Sequence, residues 1–356
     1  MQLHYTAYSE NPFAWDFADN ETGMPTQPYD ELGLYSTLLR FSYHVACVCG
    51  FTLSSTMLYL VLFRTSGPLK QYGRMLMLCS ITDISYWAMD NFVQIKGKLV
   101  DGVYMAKFEG PAQYLRYDHQ TIAMACFVCT MAWIHTVLPA QYYFRFYAVT
   151  RSQTLSGLHT FFVYCLSFGF AVLMGLCAYM GYAYSAYVRP GYNYGTLWYR
   201  EVPLPKVLYA DIRNMYQKVY FFYANVLVSG CYVMSLYYAY KTVQHLNKNS
   251  SMYSERTKSM QRQLSRALFF QSLLPVFTSI GPILCICVPS FFYMDTGKSA
   301  MLFMNITTWV PVFNPLLTIS VIVPYRRAVL SCFGRSTVHV SKDSSKPEDL
   351  TMDMMV

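Results

Sequence analysis

The 356-residue chain is 54% hydrophobic and 17% aromatic, and only 13% of its residues are charged. Soluble domains carry about 25% charged residues, so the composition excludes an ordinary soluble globule and points to a lipid bilayer as the solvent. The net charge of +8 is modest and gathers on alternate loops, which fits membrane topology and argues against a nucleic-acid partner.

Residues 1–34 are polar and acidic, without Lys or Arg, and carry no basic stretch leading into an apolar core, so no cleaved signal peptide is expected. Asn20-Glu21-Thr22 is an N-glycosylation acceptor if this end is lumenal. Seven apolar segments then follow, at 41–63, 75–95, 119–145, 159–183, 216–240, 264–292 and 300–323. They predict an all-α seven-transmembrane bundle over 35–335, followed by a charged, Ser-rich tail at 336–356 that is expected to be disordered. The second segment is the weakest, because Asp83 and Asp90 interrupt it. Basic residues crowd one set of loops (Arg64, Lys70 and Arg74; Arg145 and Arg151; Lys241 to Arg266; Arg326 onward), so the positive-inside rule sets the N-terminus outside and the C-terminus inside.

The third segment, Asp118 to Tyr147, is the expected hub. Between Thr121 and Phe144 the one residue among Asp, Glu, Lys, Arg and His is His135, and small residues such as Ala123, Cys126, Cys129 and Ala132 surround it. Small residues let membrane helices approach closely where lipid supplies no hydrophobic drive between them. Pro139 removes one backbone hydrogen bond, and Arg145 forms a basic foot. Ten of the eleven Cys fall inside apolar segments, where they read as small hydrophobes, and Cys332 lies just beyond the last. No metal-ligand spacing is present, so neither a metal nor a cofactor is expected.

A charge at the bilayer centre costs at least about 2.5–3.5 kcal/mol. Asp83 therefore reads as an ion or proton site or as a helix-packing acceptor. Asp90, two turns along the same face, reads as a ligand contact or as an acceptor near the interface. His135 reads as a ligand or pH-responsive group or as a neutral hydrogen-bonding partner. HExxH, GxSxG, GxxxxGK[ST] and GxGxxG are all absent, and two Asp on one helix cannot flank a substrate, so no enzyme is expected. A seven-span transporter or ligand-gated channel remains the alternative to a receptor, with Asp83 and Asp90 lining its path.

The seventh segment contains Asn314-Pro315-Leu-Leu-Thr-Ile and runs into Val323-Pro324-Tyr325-Arg326-Arg327. The sixth contains Gln271-Ser-Leu-Leu-Pro275 and then Pro282, and the third ends His135-Thr-Val-Leu-Pro139 followed by Tyr143-Phe144-Arg145-Phe146-Tyr147. Together these resemble the nematode serpentine chemoreceptors of the Str superfamily, most closely class delta, over about residues 35–335.

The resemblance implies a chemosensory G-protein-coupled receptor of the plasma membrane, in sensory cilia, with a heterotrimeric G protein and a small external molecule as partners. It implies coupling or switch roles for Arg145, Pro139, Gln271, Pro275, Asn314, Pro315, Tyr325 and Arg326. Phe127, Tyr220, Tyr223, Phe291 and Trp309 suit a small apolar ligand, and they suit a packed core equally. Cys332, beside Phe333, is a candidate for palmitoylation. Three departures stand out. Residues 96–122 and 184–215 hold no Cys to pin the third helix, so aromatic packing must hold the loop 184–215. Phe144 stands where an acid usually precedes the arginine, and Thr318 replaces the tyrosine of the usual NPxxY.

Overall fold

The computed structural model of the protein describes residues 4–5, 15–16, 33–65, 72–151, 155–190, 192, 194, 197, 207–248, 273–274, 276–297 and 299–332. Four described helices are long and apolar enough to cross a bilayer: α1 (Leu34–Phe63), α3 (Tyr117–Arg151), α4 (Gly157–Ala183) and α5 (Met215–Lys248). Between the first two lies α2 (Gly73–Val93), kept below that threshold by Asp83 and Asp90. Several helices outrun the predicted segments. At about 1.5 Å per residue, the 35 residues of α3 rise about 52 Å, well past a hydrocarbon core of about 30 Å.

Within the crossing window, 56% of α3 is buried, against 33% for α1 and α4 and 28% for α5. The third helix is therefore central, touching α2, α4 and α5. Its partner α4 offers small residues at the contact, with Ala171 and Ala178 fully buried, while Phe161, Phe162 and Leu166 point away from the bundle. Trp133 of α3 meets Phe168 of α4 edge-on at 4.9 Å between ring centres.

The last segments are more broken than periodicity predicts. Val276–Ile280 forms a π-turn leading into α6 (Gly281–Phe291). The seventh segment divides into α7 (Ser299–Thr307) and α8 (Val310–Val321), bent by 42°. Pro315 sits inside α8, and the break falls one turn earlier, just before Pro311, which occupies the first turn of α8. A proline has no N–H to donate and clashes with the turn before it, so it starts a helix more readily than it continues one. Beyond an extended Ile322, α9 (Val323–Cys332) closes the described chain.

A three-stranded antiparallel sheet caps the end of the bundle where α2 and α3 meet. It comprises β1 (Ile95–Val100), β2 (Val103–Phe108) and β3 (Leu208–Asp211), in the order β1-β2-β3. The β1–β2 turn is Asp101-Gly102, with φ of 51° and 70°, the left-handed pair that a tight hairpin requires. The inner face (Leu99, Tyr104, Ala106, Phe108) joins the bundle core around Tyr86, Met124 and Phe127. The other face (Val103, Met105) packs on Tyr194, Val207 and Tyr209. An all-helical reading of the spans holds, and the sheet is an addition to it.

Candidate functional site

Beneath the hairpin lies a cavity of about 60 Å³. Helices α3 to α7 wall it with, among others, Phe127, Tyr182, Tyr220, Ile286 and Met304, and the hairpin closes it with Ile95 and Tyr104. Two of the residues expected in a pocket, Phe127 and Tyr220, therefore line it. The other three lie elsewhere. Tyr223 donates its hydroxyl to the Phe170 carbonyl at 3.2 Å. Trp309 donates from Nε1 to Ser42 Oγ at 3.1 Å and stacks on Phe313. Phe291, at the end of α6, is exposed.

The hairpin is tied down by charge. Arg213 Nη2 donates to both carboxylate oxygens of Asp101 at 3.0 Å, and its Nη1 donates to Asp211 Oδ1 at 3.2 Å and to the Asp101 carbonyl at 3.1 Å. Asp211 is fully buried and also accepts from the Arg213 backbone N–H at 2.9 Å and from the Tyr194 hydroxyl at 3.2 Å. Arg189 Nη2 lies 2.8 Å from Asp211 Oδ2 as an ion pair, and its guanidinium covers the ring of Tyr192 at 4.1 Å. Burial pushes the Tyr194 phenol up to about 12, against the pull of Arg189. Burial acts to lower the Arg213 guanidinium, but Asp101 and Asp211 outweigh it and leave its pKa raised. Sequence context pointed to aromatic packing in the loop 184–215 and not to these charges.

Further along α3 is a second cavity of about 60 Å³, on which Asp83, His135, Gln141, Arg145, Asn314 and Thr318 converge. Asn314 Nδ2 donates to Asp83 Oδ1 at 3.0 Å, linking α2 to α8. His135 is buried on this wall. Asp90 is buried outside both cavities, and its backbone carbonyl accepts the Tyr43 hydroxyl at 2.6 Å. Arg145 is 3% exposed, its Nε and Nη1 make no hydrogen bond, and no carboxylate lies within 4.0 Å of it among the described residues. Two buried guanidinium nitrogens without an acceptor are costly, so packing holds this end of α3 at some expense.

Pro139 lies inside an unbroken α3. Tyr325 is fully buried, with its hydroxyl 2.7 Å from Thr65 Oγ1, so it ties α9 to the end of α1. Arg326 is exposed and donates from Nη1 to the Ser320 carbonyl at 3.3 Å. Gln271, Pro275, Asn20 and the side chain of Cys332 lie outside the described residues.

The Asp83–Asn314 bond carries a stability prediction. In Asp83→Ala the half-buried Asn314 amide loses its acceptor, and a polar group left unpaired there costs about 1 kcal/mol, the low end of the range for a fully buried one. Thermal unfolding of the detergent-purified protein should show a lowered midpoint for Asp83→Ala and a smaller loss for Asp83→Asn. Equal midpoints for Asp83→Ala and the parent would show that the bond contributes nothing.

Comparison with known proteins agrees with this architecture. Squid rhodopsin superposes with a TM-score of 0.61 over 83% of this chain and 84% of its own, at 9% identity, which is a likeness of fold alone. Serpentine receptor class delta-19 of Caenorhabditis elegans is 24% identical over 319 residues, covering 84% of this chain and 88% of that protein. Serpentine receptors class r-10 and class delta-32 of the same species match shorter stretches, at 25% and 26% identity, and there the chain spans only 36% and 31% of their lengths. The family model for the serpentine-type seven-transmembrane GPCR chemoreceptor Srd matches residues 39–331. Across its whole helical bundle, then, the chain belongs to the Srd family of serpentine seven-transmembrane chemoreceptors.

Proposed function

We propose that the protein takes a small external molecule into the cavity beneath the hairpin and, in response, activates a heterotrimeric G protein at the Arg145 end of the bundle. In this reading the hairpin and the N-terminus face outward and the C-terminus inward, an orientation that the distribution of Lys and Arg supports. In that orientation Asn20 is available for glycosylation and Cys332 for palmitoylation. The setting is the plasma membrane of a sensory neuron, in its cilia.

One observation carries this reading: α3 lines both cavities, with Phe127 in the first and His135 and Arg145 in the second. A ligand that repacks the first cavity shifts a helix that also shapes the second. A packed bundle answers such a push by moving between discrete arrangements, and a ligand selects the arrangement it binds better. Arg145, buried without a carboxylate partner among the described residues, has an interaction to gain when the inner end opens to a partner. The π-turn at Val276–Ile280 and the break between α7 and α8 are the weak points at which such a rearrangement begins.

The test is electrical as well as biochemical. In cells expressing the protein, volatile and water-soluble compounds should evoke second-messenger responses that vanish when G-protein signalling is blocked. A ligand-evoked current that persists under the block would support the channel or transporter alternative instead.

A further inference from the structure

We propose that the acidic segment preceding α1, residues 10–31, docks on the lysine-bearing face of the β1–β2 hairpin and straps the cap of the bundle. The face involved is the one turned away from the cavity beneath the hairpin, so the docking stands whatever molecule that cavity takes.

The register of β1 and β2 sets Lys96 directly across from Lys107, and Lys98 lies two residues along on the same face. Like charges directly opposite one another weaken a strand pair. Lys96 and Lys98 are nonetheless buried, at 9% and 7% exposure, and lysine is almost never fully buried without a partner. Arg40, from the second turn of α1, adds a fourth cation. Arg40, Lys96 and Lys107 converge on one carboxylate, Glu109, at 3.8, 3.6 and 3.8 Å. These separations exceed the roughly 2.7–2.9 Å of a charge-assisted hydrogen bond, so Glu109 is a counter-charge shared at a distance. Among the described residues at this face, four cations stand with one acid.

The same place has room for a further carboxylate. A cavity of about 40 Å³ lies between α1, β1 and α7, lined by Ser36, Arg40, Lys96, Glu109 and Asn305 among others. At roughly 10–15 Å³ per water-sized group it holds about three such groups, the size of a carboxylate.

Residues 1–32 complement this surface in charge. They carry Glu10, Asp16, Asp19, Glu21, Asp30 and Glu31 and no Lys or Arg. The tether is short. Lys96 Nζ donates to Ser36 Oγ at 3.0 Å, so the surface begins in the first turn of α1. A chain spans at most about 3.3–3.6 Å per residue, which keeps Asp30 and Glu31 within about 20 Å of Ser36. A short tether holds a group at roughly millimolar effective concentration, so several weak ion pairs suffice to keep the segment docked. Gly33 has φ of 51° and open space where a Cβ would stand, so the bend of the backbone entering α1, and not packing, calls for glycine. Docked on this face, the segment braces the two strands whose Ile95 and Tyr104 close the cavity.

The test uses the full chain in phosphatidylcholine nanodiscs, treated with a water-soluble carbodiimide, which joins a carboxylate to an amine in contact with it. Mass spectrometry should find Lys96, Lys98 or Lys107 joined to acids of residues 10–31 of the same chain. Mixing isotope-labelled and unlabelled protein separates links within a chain from links between copies. Hydrogen exchange across β1 and β2 gives a second readout. Glu10→Gln, Asp16→Asn, Asp19→Asn, Glu21→Gln, Asp30→Asn and Glu31→Gln together should speed that exchange at least about threefold at low salt. Exchange in α4 should stay unchanged, which controls for folding. In about 1 M salt, where the screening length falls to about 3 Å, parent and variant should exchange alike.

Links from these lysines to Glu109 alone, or to no carboxylate, would overturn the proposal, as would equal exchange in parent and variant at low salt. Links found only between copies would give the face to a second molecule of the chain and overturn it equally.

Discussion

Asp211→Ala is expected to lower the thermal midpoint of the purified protein more than any other single change in the cap. Asp211 is fully buried and joins the Asp101-Gly102 turn, through Arg213, to the segment carrying Arg189 and Tyr194. Removing it deprives two guanidinium groups of a carboxylate at once. Breaking a buried ion pair by deleting one partner costs about 3–5 kcal/mol. Arg189 and Arg213 keep 22% and 31% of their side-chain exposure, so solvent screens part of the loss and about 2–3 kcal/mol is expected. Asp101 is 44% exposed, and Asp101→Ala should therefore cost about 1 kcal/mol or less. Thermal unfolding of both variants, with hydrogen exchange across β1 to β3, gives the comparison. An unchanged midpoint in Asp211→Ala, or a larger loss in Asp101→Ala, would show that the ionic network does not hold the cap. Residues 96–122 and 184–215 contain no Cys, so a reducing agent should leave the cap's midpoint unchanged.

Arg145→Ala should separate stability from signalling. Its guanidinium is buried, with Nε and Nη1 unbonded and no carboxylate partner among the described residues, so deleting it breaks no ion pair and removes a desolvated charge. Surface labelling should stay near the parent level and the thermal midpoint should stay level or rise. Ligand-evoked G-protein activation should fall at least about tenfold, the equivalent of removing one charge-assisted hydrogen bond from the active complex. A parallel fall in midpoint and signal would mean that Arg145 is structural. Full signalling would remove it from the coupling surface. Phe144, packed with residues of α1, α2 and α8, supplies no acid to lock this arginine.

The spans were legible in the sequence because lipid demands long apolar runs, and those runs are local. The meeting of Asp83, His135, Arg145 and Asn314 at one cavity was not. Each reads as an isolated polar residue on its own helix, and only the packing of α2, α3 and α8 brings them together. The hairpin left a signal that a search for helices passes over. Asp101-Gly102 sits between Ile95–Val100 and Val103–Phe108, the dipeptide and flanks of a tight β-turn, but the lysines at 96, 98 and 107 give those strands the look of a polar loop. Its third strand lies about a hundred residues away, beyond any local pattern. Aromatic packing was expected to hold the loop 184–215, and Tyr194 does stack on Tyr209 at 4.1 Å. The ion pairs beside that stack were hidden because Asp101, Arg189, Asp211 and Arg213 look like ordinary surface charges when read along the chain. The break before Pro311 was obscured by the stronger Asn314-Pro315 signal one turn later.

Nucleotide exchange by a purified heterotrimer is the most direct test of the account, with the protein reconstituted in lipid nanodiscs and exposed to the panel of volatile and water-soluble compounds. Ligand should accelerate exchange in the parent protein, and Arg145→Ala should abolish the acceleration. Acceleration that survives in Arg145→Ala, or none with any compound in the presence of a competent heterotrimer, would contradict a receptor that carries a signal along α3 from the cavity beneath the hairpin to its basic foot.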